Sequence, residues 1–136
     1  MGIPRENVVK FRERFEPHLL SPLGAHLDAE LCRKAWDGDR STEARLNAEF
    51  ERAIEWLSRK GKRKNMNRRV GTSYRLKHEV EGYFRELGIG VYIPNGVFLM
   101  AAHYLGFRLE KYEARYGGIW DCWNAYLNIS SKRLAA

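Results

Sequence analysis

Residues Val97 to Leu105 read Val-Phe-Leu-Met-Ala-Ala-His-Tyr-Leu, which sets apolar side chains in nearly every direction around a helix. Pro94 and Asn95 supply an opening signal and Gly106 a stop, so a helix is predicted over Val97 to Leu105. A helix with no polar face must be covered on most of its sides. The rest of the chain therefore has to fold around this segment.

The chain has the means to do so. It has 136 residues, 44% hydrophobic and 12% aromatic, enough for one domain with a buried core. That composition excludes an acidic disordered tail, a collagen-like repeat and a disulfide-framed mini-protein. Cys32 and Cys122 are far apart, with no CxxC spacing and no adjacent histidine, so neither a zinc knuckle nor a redox dithiol is expected and a reducing cytosol fits best. Met1-Gly-Ile-Pro-Arg-Glu lacks the apolar run of a signal peptide. The longest apolar run, Val97 to Ala102, is far short of the roughly 20 residues that span a bilayer. A soluble, cytoplasmic protein is expected.

Four more helices are predicted. Pro4 opens one over 4–16, with Val8, Phe11 and Phe15 on one face and Pro17 as its stop. Ser21-Pro22 is read as the start of a second over 22–36, with Leu23, Leu27, Leu31 and Ala35 as its stripe. Ser41 or Thr42 caps a third over 42–60, whose face is Leu46, Phe50, Ala53, Ile54 and Leu57. Thr72 and Ser73 cap a fourth, carrying Leu76, Val80, Tyr83, Phe84 and Leu87 and ending at Gly88. After Gly106 the period changes to two: Phe107, Leu109 and Lys111 alternate with polar neighbours, as do Trp123, Ala125, Leu127 and Ile129. With Tyr116-Gly117-Gly118 between them, these runs predict an antiparallel hairpin. The expected fold is α+β, mainly α, with about five helices and a C-terminal β-hairpin. Its regions are an N-terminal helical part (1–58), a basic linker (59–71) and a helix-helix-hairpin part (72–136), all within one compact domain.

The net charge of +7 has a single source. Residues 57–77 hold Arg59, Lys60, Lys62, Arg63, Lys64, Arg68, Arg69, Arg75 and Lys77 and no acidic residue, while the remainder is close to neutral. Neutralising phosphates with Lys and Arg releases counterions and gives sequence-independent affinity, so DNA or RNA is the expected partner. With Gly61, Asn65 and Asn67 among the cations, the segment reads as a flexible linker.

The order of the last elements is that of a winged helix-turn-helix. The helix that Pro94 and Asn95 open offers base edges only Asn95 and His103, however, so it is read as a core helix and not as a groove reader. The tract Thr72-Ser73-Tyr74-Arg75-Leu76-Lys77-His78, followed by Tyr92-Ile93-Pro94-Asn95-Gly96-Val97-Phe98, resembles a T-S-Y-x-L-K-H … Y-I-x-N-G-x-F pattern of small uncharacterised proteins of phages, plasmids and integrated elements. The resemblance covers residues 72–107, and no activity is attached to that pattern. It implies a mobile-element protein acting on nucleic acid or on a host defence machine. In physical terms, two helix starts in this tract could form an anion pocket from Thr72, Ser73, His78, Asn95 and Gly96, although ordinary capping also explains Thr72, Ser73 and Asn95.

Catalysis has little support. His78 and Glu81 share a helix face, the minimum for general-base or metal-assisted cleavage, but there is no paired-carboxylate spacing, GxSxG, Walker loop or HExxH. No cofactor and no metal site is expected. Trp120 and Trp123, with Tyr116 and Tyr126, form an aromatic edge of the hairpin that could stack bases, anchor an interface or pack on a helix. The leading expectation is a small basic nucleic-acid-binding protein that grips backbone phosphates. The alternative is an inhibitor of a host defence complex, anti-CRISPR-like, acting by protein–protein binding.

Overall fold

The structure is a computed structural model that describes residues 8, 10–11, 20–26, 29–39, 42–112 and 122–133. Its described helices are α1 (Ala29–Gly38), α2 (Glu43–Leu57), α3 (Ser73–Glu86) and α4 (Asn95–Tyr104). The strands are short: β1 (Leu20–Ser21), β2 (Gly24–His26), β3 (Lys60–Lys62), β4 (Leu109–Lys111), β5 (Cys122–Trp123), β6 (Ala125–Leu127) and β7 (Ile129–Arg133). The class is α+β.

Helix α4 is the centre of the fold. Every residue from Asn95 to Ala102 is buried, as its apolar circumference requires. Helices α2 and α3 and strands β1 and β2 all pack on it. Helix α2 is capped by Thr42, whose hydroxyl accepts from the Arg45 N–H at 3.1 Å. It lays Leu46, Phe50, Ala53, Ile54 and Leu57 into the core, the face that the sequence predicts. Helix α3 contributes Leu76, Val80 and Phe84, whereas Leu87, beyond its last turn, is exposed. Of the predicted helix 4–16, Val8, Lys10 and Phe11 are described and helical, with Val8 and Phe11 buried; the rest of that range lies outside the described residues.

The predicted helix over 22–36 is corrected. Residues 20–26 form a tight antiparallel β1–β2 pair, and the helix begins only at Ala29. Ser, Pro and Gly at 21, 22 and 24 suit the first, second and fourth places of a β-turn as well as a helix start. The Ser21 hydroxyl accepts from the Leu23 N–H at 3.1 Å and pairs with His26 Nε2 at 2.6 Å, which commits it to the turn. Leu23, in the turn, is 53% exposed and Leu31, in the helix, 42%, so neither takes the buried place expected of it, while Leu27 lies outside the described residues.

This turn sits on the first turn of α4. The Gly96 N–H donates to the Pro22 carbonyl at 3.1 Å, and a Cβ on Gly96 would lie 1.3 Å from the Ser21 carbonyl oxygen. No residue but glycine fits there.

The C-terminal half departs from a simple hairpin. Strand β4 does pair antiparallel with β6, setting Leu109 opposite Leu127 and Lys111 opposite Ala125. The stretch 122–133 is nevertheless divided among three partners: β5 extends the β1–β2 sheet, β6 takes β4, and β7 takes β3. The predicted turn at Tyr116-Gly117-Gly118 and the side chains of Trp120 and Trp123 lie outside the described residues.

Two glycine substitutions are expected to act in opposite directions. Gly96→Ala, which drives a methyl group into the Ser21 carbonyl, should lower stability by about 3 kcal/mol or more. Gly82→Ala, inside α3 with open space at its Cβ position, should raise it by about 0.5–1 kcal/mol. Urea denaturation of both variants measures the difference.

Candidate nucleic-acid interface

The basic segment is not a flexible linker but part of the folded frame. Strand β3 pairs with β7, Lys60 opposite Arg133 and Lys62 opposite Ile129, with an irregularity between them. Asn128 then holds Arg63 from both sides: the Arg63 N–H donates to the Asn128 carbonyl at 2.7 Å, and Asn128 Nδ2 donates to the Arg63 carbonyl at 2.8 Å. Asn128 Oδ1 also accepts from the Arg108 N–H at 2.7 Å. Four residues on, the buried Asn67 donates its backbone N–H to the Leu127 carbonyl and its Nδ2 to the Ile129 carbonyl, both at 2.9 Å. A segment with almost no apolar residue is thus fixed by amides, each satisfying backbone groups that burial would otherwise orphan.

With the backbone held, the cations divide into three sets. Arg63, Lys64, Arg69 and Arg75 are exposed and have no acidic partner among the described residues, nor has the exposed Lys62, whose ammonium lies 5.4 Å from the centroid of the Phe107 ring. Arg59, Lys60 and Arg68 are partly spent: Arg59 bonds the Tyr83 hydroxyl and lies 3.7 Å from Glu55, Lys60 sits 4.6 Å over the Trp56 ring, and Arg68 pairs with Glu110 at 2.6 Å. Lys77 does not join them. Its side chain is 5% exposed and meets the equally buried Glu81 at 3.3 Å.

Around that buried pair α3 and the loop before α4 build a cluster that residue spacing alone does not disclose. Glu81 Oε2 also accepts the Ile93 N–H at 2.9 Å, and Oε1 meets His78 Nδ1 at 2.8 Å. The Lys77 ammonium lies 5.6 Å from the centroid of the Tyr74 ring and 4.4 Å from that of Tyr92. Burial on its own would push the Glu81 carboxyl up, but the Ile93 N–H, Lys77 and His78 together hold it below the ordinary value of 4.5. The i, i+3 spacing of His78 and Glu81 is visible in the sequence; the bond to Ile93 depends on a loop that no periodicity reports.

Two residues of the expected anion pocket, Ser73 and Asn95, bond to the C-terminal stretch. Ser73 Oγ accepts from the Ala125 N–H at 3.1 Å, and Asn95 Nδ2 donates to Asn124 Oδ1 at 2.7 Å. Two successive residues of the C-terminal strand run thus tie the starts of α3 and α4. At the start of α4 the Gly96 N–H is taken by the Pro22 carbonyl, and the Asn95 amide oxygen is a buried acceptor with no partner among the described residues. Thr72 makes no side-chain cap bond, and His78 faces Glu81.

Among the described residues no three His, Cys, Asp or Glu side chains are grouped to hold a metal ion, and no helix is long and apolar enough to cross a membrane. No family model matches the chain, and comparison with curated proteins and with solved structures finds no similar one.

Two measurements probe the buried cluster. Lys77→Met leaves the Glu81 charge buried without its partner and should cost about 3 kcal/mol in urea denaturation, whereas Lys64→Met, at an exposed site, should stay within about 0.5 kcal/mol. Because the folded-state pKa of Glu81 is depressed, its contribution is fully present above the ordinary value of 4.5 and is lost as the pH falls through the lower folded value. Acid titration of stability should therefore show a shallower loss below pH 4.5 in Glu81→Gln than in the wild type.

Proposed function

We propose that this chain is a nucleic-acid-binding protein of a mobile element that grips backbone phosphates through its basic segment. The observation that carries the reading is the anchoring of residues 60–67 to β6 and β7. It gives Lys62, Arg63 and Lys64 a fixed base, with Arg69 two residues beyond the last clamp and Arg75 on the first turn of α3; all five are exposed and without acidic partners among the described residues. Solvated linkers need no such clamps. A polyanion gains from cations already held in place, because less ordering entropy is lost on binding. Strand β7 ends in Lys132 and Arg133, so its register brings two further basic positions alongside β3.

The same frame argues against helix-in-groove reading of sequence. The second helix of a helix-turn-helix arrangement would be α4, and α4 is covered on every side. Contacts confined to phosphates give affinity with little sequence preference.

Fluorescence anisotropy of labelled duplex DNA, single-stranded DNA and RNA, each at several salt concentrations, tests the reading. Wild-type binding should weaken steeply with salt. The variant Arg63→Gln/Lys64→Gln/Arg69→Gln/Arg75→Gln should bind more weakly on every sequence, with the log–log salt slope on duplex shallower by about 0.9 for each phosphate that the variant no longer neutralises. Its folding should be unchanged, since none of the four pairs with an acidic residue among those described. Salt-insensitive binding, or an undiminished quadruple variant, overturns the proposal.

A further inference from the structure

We propose that Tyr74 and Tyr92 form a stacking platform for the unpaired bases of a single strand, an inference that rests on the phosphate-gripping reading above. Both tyrosines are large aromatic surfaces left in water, 54% and 56% exposed. Neither hydroxyl has a hydrogen-bond partner among the described residues, so neither ring is held by its polar end. Both are held instead by their faces and edges.

The Lys77 ammonium lies over both rings, 5.6 Å from the centroid of Tyr74 and 4.4 Å from that of Tyr92. The two rings are therefore no further apart than those two distances laid end to end. The Tyr74 ring also meets the His78 imidazole edge-on, centroids 4.7 Å apart and planes at 87°. His78 and Lys77 are in turn fixed by the same carboxylate, Glu81, which the Ile93 backbone anchors to the Tyr92 loop. One buried charge cluster thus positions two aromatic rings from within. More than half of each tyrosine stays exposed despite these contacts, which leaves ring surface for a planar base.

The surroundings favour nucleic acid as the occupant. Tyr74 is flanked in sequence by Arg75, whose side chain folds back over Gly71 toward the basic segment, and Arg69 is five residues away, at most about 18 Å along an extended chain. Base-stacking aromatics beside a run of exposed cations are the two parts of a sequence-tolerant single-strand site. A duplex keeps its bases paired and can use only the cations.

The test is anisotropy binding to three probes: a short oligothymidylate, an abasic strand of the same length carrying the same phosphates, and a blunt duplex. The wild type should prefer the base-bearing strand to the abasic one. Tyr74→Ala/Tyr92→Ala should weaken oligothymidylate binding by about tenfold or more and abolish that preference, with abasic and duplex binding little changed. Tyr74→Phe/Tyr92→Phe, which keeps both rings, should bind as the wild type does. Equal wild-type affinity for the two strands, or a preference that survives the double alanine variant, overturns the platform. If both strands are then still bound in a salt-dependent way, the phosphate reading stands alone; if neither is bound, both readings fall. The comparison of strands on wild-type protein needs no variant to fold.

Discussion

The absence of a polar face on α4 is the constraint from which the architecture follows. A ten-residue helix buried from Asn95 to Ala102 needs neighbours on all sides, and two amphipathic helices cover only part of it. The remainder is covered by the β1–β2 turn, which approaches so closely that position 96 has to be glycine. Strand β5 then extends that small sheet. Covering one helix accounts for the N-terminal turn and for part of the course of the C-terminal strands.

A second theme is the use of buried polar side chains to fix segments that have no apolar residues to bury. Asn67 and Asn128 hold the basic segment, Ser73 and Asn95 hold the starts of α3 and α4 against residues 124 and 125, and Glu81 holds the Tyr92 loop. Each such bond contributes only about 1 kcal/mol net, yet leaving one partner unmatched costs more, so these contacts select one conformation more than they add to its stability. The cations of the segment gain fixed positions without an apolar anchor beneath them.

What the sequence disclosed follows the same division. Helices α2, α3 and α4 were legible because burial of an amphipathic or wholly apolar helix writes a period into the chain, and Thr42, Gly88 and Gly106 mark their ends. The pairing of β4 with β6 was legible as alternation. Ser21-Pro22 misled because the same residues open turns and helices, and only the contact with Gly96 decides between them. Strand β3 was invisible: Lys-Gly-Lys has no pattern of its own and becomes a strand only because β7 and Asn128 are there to pair with it. For the candidate interface, charge density named the segment, but its division into free, spent and buried cations depends on partners far away in sequence. Lys77 is the clearest case, a cation by composition and a structural ion pair by position.

The pairing of β3 with β7 also sets an order of events during biosynthesis. Lys62 waits for Ile129, and at roughly 5–20 residues per second a ribosome delivers that partner only several seconds later. Until then the densest cluster of positive charge hangs on a backbone with no ladder and no asparagine clamp. The cationic surface is therefore assembled late, after α2, α3 and α4 have all been synthesised. A chain that stalls or is cut before residue 128 would carry the charges without the frame that arranges them.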